Sequence, residues 1–129
     1  MIPKTYTIAL TELANKREPF AVATVVRTQG SSLAKPGFKI VVDAEGKVRA
    51  GTLGGVCPEG PIIQIALDTM AKSQPRIIRV HLEDVEAAVS RTIASHDPDE
   101  IHVETNCGGM LEIYVEPFLP PDRLILIGQ

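Results

Sequence analysis

The feature that most constrains this chain is a glycine- and proline-rich segment at residues 51–61, Gly-Thr-Leu-Gly-Gly-Val-Cys-Pro-Glu-Gly-Pro. Four glycines and two prolines in eleven residues exclude a regular helix or strand here. A strand-like run precedes the segment at residues 47–53, and a helical pattern follows at residues 62–72, with its apolar residues spaced along one face. We therefore expect a loop that joins a strand to a helix.

The remaining hydrophobic patterns predict an α/β (α+β) fold, a single domain with a mixed β-sheet and about three helices. The predicted helices cover residues 5–16, 62–72 and 83–94, and the predicted strands cover residues 20–26, 38–42, 47–53, 76–82, 101–103 and 111–115. The domain is expected to span residues 1–117. Residues 118–129 are expected to form a proline-rich linker and the first strand of an absent or truncated Rossmann-like domain, because an apolar strand closing on glycine begins such units.

Composition excludes several functional classes. The chain has 129 residues, a net charge of −3 and five scattered aromatic residues, which argues against a nucleic-acid-binding surface. No apolar run approaches the roughly 20 residues of a membrane helix. Two cysteines, Cys57 and Cys107, are too few for a disulfide scaffold, so a cytoplasmic location is expected. The histidines share no metal-ligand spacing, which argues against a zinc site built from His81, His96 and His102.

Cys57 stands in the glycine-rich loop at the start of the second predicted helix. A helix N-terminus offers free N–H groups and a positive potential, which favour bound anions and a thiolate. The neighbouring Gly54 and Gly55 allow a ligand to approach the backbone closely. Glu59 is either a general base or ligand contact, or a partner of the helix dipole in the first turn. The loop is thus either a binding or nucleophilic site, or a tight turn around a buried cysteine.

Two further glycine loops carry polar side chains. Residues 27–32 follow a buried strand, and residues 106–109 lie between two predicted strands. Polar loops after buried strands are frequent positions for ligand contacts. The two cysteine loops either line one pocket, form a redox pair or never meet. The candidate contacts in these two loops are Gln29, Gly30, Ser31, Ser32, Cys107, Gly108 and Gly109.

Together these motifs resemble the XdhC/CoxI family, whose members mature molybdenum enzymes such as xanthine dehydrogenase and carbon monoxide dehydrogenase. The resemblance is carried, in order, by residues 24–32, 36–37, 51–59 and 107–109. Two positions depart from the family pattern: Val56 stands where a third glycine is usual, and Pro58 where an aliphatic residue is usual. In the family a Rossmann-like domain follows, and residues 124–128 resemble its first strand.

The resemblance implies a cofactor chaperone more than a stand-alone catalyst. Its ligand is the molybdenum cofactor, as molybdopterin or its dinucleotide form, bound transiently. Its partners are a cysteine desulfurase, which exchanges an oxo for a sulfido ligand, and the apo-molybdoenzyme that receives the cofactor. Cys57 and Glu59 fall on the family's cysteine and glutamate, so they are the catalytic candidates, with the Cys57 thiolate a contact to molybdenum. A homodimer is expected by analogy.

Two other functions compete with this interpretation. The first is a thiol redox protein that cycles a disulfide between Cys57 and Cys107. The second is a non-catalytic docking module that binds a molybdoenzyme and leaves the cofactor to another protein. Thiol counting tests the first, and co-purification of the apo-enzyme without pterin would favour the second.

Overall fold

The structure is a computed structural model, which describes residues 4–30, 35–53, 59–83, 99–104 and 109–120. The described residues form two helices and six strands. In chain order these elements are α1 (Lys4–Asn15), β1 (Phe20–Gln29), β2 (Lys39–Asp43), β3 (Val48–Gly51), α2 (Glu59–Lys72), β4 (Arg76–Glu83), β5 (Glu100–Glu104) and β6 (Gly109–Phe118).

The predicted fold class is confirmed, since the described residues form one mixed sheet with helices packed on it. Two helices are described where about three were expected. The remaining predicted helix, residues 83–94, lies outside the described residues except for Glu83, which ends β4. The predicted linker and final strand at residues 118–129 also lie mostly outside them.

The sheet has the strand order β3-β2-β1-β6-β4-β5. Neighbouring strands are antiparallel except β4 and β5, which are parallel. Strands β1, β3, β4 and β5 therefore run in one direction, and β2 and β6 in the other. The first group of strands ends, and the second group begins, at the same edge of the sheet. We call this edge the motif edge. The strand ends at the motif edge are Gln29, Lys39, Gly51, Glu83, Glu104 and Gly109.

The main core lies between α2 and one face of the sheet. Helix α2 presents Ile62, Ala66 and Met70 at the spacing of one helical face, and all three are buried. Alternate residues of the central strands point to the same side, as the two-residue period of a strand requires. These buried strand residues are Ala21, Ala23, Val25, Ile40, Val42, Ile78, Val80, Leu82, Leu111, Ile113 and Val115.

Helix α1 packs on the opposite face, over β3 and β2. A second apolar cluster forms there from Tyr6 and Leu13 of α1 with Phe20, Val22 and Val41 of the sheet. On the β6 and β4 side of this face, apolar residues stay accessible: the exposed fraction is 54% for Ile77 and 41% for Phe118. We call this surface the open face. It is defined by Ile77, Arg79, Glu112, Tyr114, Glu116 and Phe118.

Strand β1 is longer than the sequence predicted. The strand was expected to end at Val26, with a loop from Arg27, but β1 continues to Gln29. A β-bulge between Val25 and Arg27 explains the difference. The extra residue shifts the alternation by one, so that Arg27 pairs with Glu112 instead of following Val25 into the core. Polar residues can therefore continue the ladder with β6.

Candidate functional site

One strand end that adjoins each of the three glycine loops lies at the motif edge. Strand β1 ends there at Gln29, and Gly30 follows it as an exposed residue. Strand β3 ends at the same edge at Gly51 and leads into the segment before α2. Strand β6 begins there at Gly109, directly after the second cysteine loop. Segments far apart in the sequence are thus brought to one edge of the sheet by the strand directions.

Two of the three loops are in direct contact. Gln29 is paired with Met110 across β1 and β6, which places Gly109 beside the end of β1. Gly109 has a φ of +124°, a backbone conformation that residues with a side chain rarely adopt. A Cβ at position 109 would overlap the carbonyl oxygen of Gln29 and lie 3.4 Å from the Cα of Gly30. Only a glycine allows this approach, so the structure brings Gln29, Gly30 and Gly109 together.

Gly51, the first glycine of the segment at residues 51–61, is required by the structure of the sheet itself. Gly51 has a φ of +87°, and a Cβ there would overlap the carbonyl oxygen of Lys39. The same Cβ would lie 3.1 Å from the Cα of Ile40. Gly51 is therefore required by the backbone of the neighbouring strand at the motif edge, irrespective of any ligand.

Glu59 is the first residue of α2, which begins three residues earlier than predicted. It is half-buried and is the acidic residue of the first helical turn. An acidic side chain at this position interacts favourably with the helix dipole. Pro61 also fits the first turn, because the N–H groups of that turn make no intrahelical hydrogen bond that proline would remove. Glu59 thus occupies a position that the helix dipole favours, two residues after Cys57 in the sequence, and its role toward a ligand stays a prediction.

The other predicted site residues lie outside the described residues, so their roles stay predictions. They are Ser31, Ser32, Gly54, Gly55, Cys57, Cys107 and Gly108. Gly51 and Gly109 belong to strands three positions apart in the sheet. Adjacent strands are about 4.8 Å apart, so these two strand ends are separated by about 14 Å.

A charged cluster on the open face was not predicted from the sequence. The Glu112 carboxylate lies between two guanidinium groups, with Oε1 3.6 Å from Nε of Arg27 and Oε2 3.6 Å from Nε of Arg79. The alternation of apolar and polar residues along β6 indicated that Glu112 points away from the core. The identity of its partners depends on the register of β1 and β4 against β6, which no local pattern specifies.

A histidine pair was also missed. His81 and His102 come into register because β4 and β5 are parallel, and their rings stack at 4.7 Å between centroids. His81 Nε2 lies 2.9 Å from Oε1 of Glu100. Within the part of the chain that the structure describes, no three His, Cys, Asp or Glu side chains are arranged to hold a metal ion.

Two cavities lined by described residues lie along the open face. One of about 260 Å³ is lined by Ile77, Arg79, Asp99, Glu100 and Glu112. The other, of about 390 Å³, is at the end of the sheet opposite the motif edge. Its lining residues are Ser73, Pro75, Tyr114, Glu116, Pro117, Phe118 and Leu119.

Among the described helices, none combines the length and apolar character needed to cross a membrane.

Comparison with known proteins identifies related sequences and folds. The family model for the XdhC and CoxI family matches residues 13–81, which is more than half of the chain. The uncharacterized protein YqeB of Escherichia coli K12 is 28% identical over 121 residues, which cover 92% of this chain and 20% of YqeB. The chain therefore spans about a fifth of the length of that curated relative.

A solved structure shares the fold. The crystal structure of a protein described as a xanthine dehydrogenase from Bacillus halodurans superimposes with a TM-score of 0.59. The two sequences are 24% identical, and the match covers 86% of this chain and 29% of the Bacillus protein. The described fold is therefore one that also occurs within a considerably longer chain.

Proposed function

The chain belongs to the XdhC and CoxI family, and we propose that it is an accessory protein in the maturation of a molybdenum enzyme of the xanthine dehydrogenase or carbon monoxide dehydrogenase type. Its cargo is the molybdenum cofactor, which it holds transiently at the motif edge. A cysteine desulfurase supplies sulfur to the bound cargo, and the apo-enzyme then receives it. The protein acts in the cytoplasm as a chaperone, not as a stand-alone catalyst.

The observation that carries this proposal is that strand ends adjoining all three glycine loops, Gln29, Gly51 and Gly109, lie at the motif edge. The matched region, residues 13–81, contains two of these loops. The third loop joins them through the contact of Gly109 with the end of β1. A ligand-binding role explains why three loops rich in glycine and polar residues, separated by up to eighty positions in the sequence, meet at one edge of a sheet.

The residues at this edge fit an anionic pterin with phosphate groups. Gln29 and Gly30 are exposed at the end of β1, so an amide side chain and open backbone face a ligand there. Backbone N–H groups of glycine loops and of helix N-termini suit phosphate oxygens. Gly54 and Gly55 would hold the anionic part of the cargo in this way.

Cys57 and Glu59 supply the reactive and polar groups. A cysteine just before a helix start is favoured as a thiolate, and a thiolate is a soft ligand for molybdenum. Glu59, in the first turn of α2, would orient the cargo by accepting a hydrogen bond from the pterin. The residues after β1, Ser31 and Ser32, and those before β6, Cys107 and Gly108, would complete the binding surface.

The test is expression in a host that makes molybdenum cofactor, followed by purification without oxidants. Pterin is measured as its fluorescent oxidised derivative, and molybdenum by mass spectrometry. We expect the wild-type chain to carry both, and Cys57→Ala to lose them. Glu45→Gln is the matched control, because Glu45 is an exposed residue of the β2–β3 turn, at the end of the sheet opposite the motif edge.

The outcomes separate the functions. Equal pterin in Cys57→Ala and wild type would refute the role of Cys57, and no pterin in either would refute the carrier. Stable co-purification of an apo-molybdoenzyme in the absence of pterin would instead identify a docking module.

A further inference from the structure

The carboxylate of Glu116 differs from its neighbours on the open face because no cation of the described residues pairs with it. Glu112 lies between Arg27 and Arg79, and Glu100 contacts His81. Glu116 has no such ion pair with a lysine, arginine or histidine of the described part of the chain. It is nevertheless half-buried, so its charge is only partly solvated.

Aromatic rings flank this carboxylate along the strand. Tyr114, Glu116 and Phe118 are alternate residues of β6 and therefore point to the same face. Neighbouring members of this set are about 7 Å apart along the strand. The ring of Phe118 stacks on Phe20 at 5.1 Å between centroids with an interplanar angle of 9°. This stacking fixes the Phe118 ring while leaving the side chain 41% exposed.

The cavity of about 390 Å³ lies directly over these three side chains. It exists because β4 begins at Arg76, opposite Val115, so that the last residues of β6 extend beyond their neighbour strand. Pro75 and Leu119 add apolar lining. This volume is at the small end of the range for ligand pockets, which suits a single long side chain better than a bulky cofactor.

The charge of Glu116 also acts on the adjacent helix. Burial raises the pKa of Tyr6 on α1, and the negative charge of Glu116 adds to the rise. Tyr6 is therefore a neutral phenol near pH 7, so it leaves the charge of Glu116 uncompensated. An unpaired carboxylate between aromatic rings and apolar walls is complementary to a cation with an apolar stem.

We propose that this cavity binds an arginine side chain presented by a partner polypeptide. The planar guanidinium forms two parallel hydrogen bonds to a carboxylate and also stacks on aromatic rings. An ammonium group binds a carboxylate as a point charge and has no planar face to stack. The aliphatic stem of arginine would cover Pro75 and Leu119. The surrounding open face, where Ile77 is 54% exposed, gives the rest of the polypeptide an apolar surface to contact.

This site is independent of the proposed cargo site. Phe118 ends β6 and Phe20 begins β1, so the cavity is at the opposite end of these strands from Gln29 and Gly109. Partner binding and cargo binding can therefore be tested separately, and neither result depends on the other.

The experiment is a two-dimensional ¹H–¹⁵N NMR titration of the full labelled chain at low salt. The probes are three blocked tripeptides, glycine-X-glycine, where X is arginine, lysine or citrulline, the last being a neutral isostere of arginine. We expect the arginine peptide to shift the amide signals of residues 114–119, the lysine peptide to bind at least threefold more weakly, and the citrulline peptide to cause no saturable shift.

Two variants make the test specific. Glu116→Gln keeps the size of the side chain and removes its charge, and we expect at least tenfold weaker binding of the arginine peptide. Phe118→Leu keeps an apolar side chain without the aromatic face, and we expect an intermediate loss. The spectra themselves report whether each variant is folded. Equal binding by Glu116→Gln and wild type, equal shifts from arginine and citrulline peptides, or shifts confined to the motif edge would each overturn the proposal.

Discussion

Gly109 lies against Gln29 so closely that a Cβ at position 109 would overlap the Gln29 carbonyl oxygen. This contact joins the end of β1 to the start of β6, two segments eighty positions apart in the sequence. It fixes the geometry of the motif edge at the point where two of the three glycine loops meet. Its disruption should therefore affect both stability and the candidate site.

We expect Gly109→Ala to destabilise the protein by about 2 kcal/mol or more, since the substitution combines a positive φ with a backbone overlap. Gly37→Ala is the matched control, because Gly37 also has a positive φ, +97°, but has no atom within 4 Å of an added Cβ. Urea unfolding measures both variants. Equal losses of unfolding free energy would show that the contact with Gln29 contributes nothing beyond backbone strain.

Arg76 connects the end of α2 to the start of β5. Its guanidinium donates hydrogen bonds to Asp99 at 2.7 and 3.0 Å and to Asp68 at 2.9 Å, and its side chain is only 16% exposed. We expect Arg76→Met to reduce the unfolding free energy by about 2 kcal/mol, because two carboxylates lose a partly buried partner. Thermal or urea unfolding measures the effect.

Lys72→Met is the control for that change. Lys72 also pairs with Asp68, at 3.2 Å, but its side chain is 66% exposed. Exposed helix pairs of this kind contribute about 0.3–0.5 kcal/mol, so we expect Lys72→Met to change stability by no more than that. If the two variants were equally destabilised, the partial burial of Arg76 would not be the source of its contribution.

Asp43 makes stability depend on pH. Burial alone would raise the pKa of Asp43, but hydrogen bonds from the Lys47 and Glu45 backbone N–H groups and from Arg49, together with the Arg49 charge, lower the pKa below its usual value. A lowered folded-state pKa contributes stability above the unfolded-state pKa, about 3.9, and this contribution is lost as the pH falls through the folded-state value.

We therefore expect Asp43→Asn to be less stable than wild type at pH 7 and the difference to shrink below about pH 4. Urea unfolding of both proteins at pH 7 and pH 3 measures the difference. A constant difference between these pH values would contradict the role of the Asp43 charge.

Cys57 and Cys107 are expected to remain free thiols under mild oxidation. The proposed cargo site uses the Cys57 thiolate as a ligand, and a disulfide with Cys107 would remove that thiolate. Thiol counting under denaturing conditions, before and after mild oxidant, should give two thiols per chain in both cases. An intramolecular cross-link between these cysteines would instead favour the thiol redox function.

Local sequence patterns were sufficient for most of the elements. The apolar run from Phe20 predicted β1 as a buried strand, and the alternation around Ile113 predicted a strand with one buried face. These predictions succeed because the side-chain period of a helix or strand is a local property. The extension of β1 to Gln29 was missed because the β-bulge that permits it depends on pairing with β6.

The sequence by itself also identified the three glycine loops, since glycine and polar residues are conspicuous wherever regular structure stops. Only the tertiary structure decided that the strand ends beside these loops share one edge and that Gly109 contacts Gln29. It also decided that, among the described residues, Glu112 acquires two arginines while Glu116 acquires none. The physical reason is that strand order and register follow from how the whole sheet buries its apolar faces against α1 and α2. That free energy belongs to the assembled core and is not encoded in any single segment.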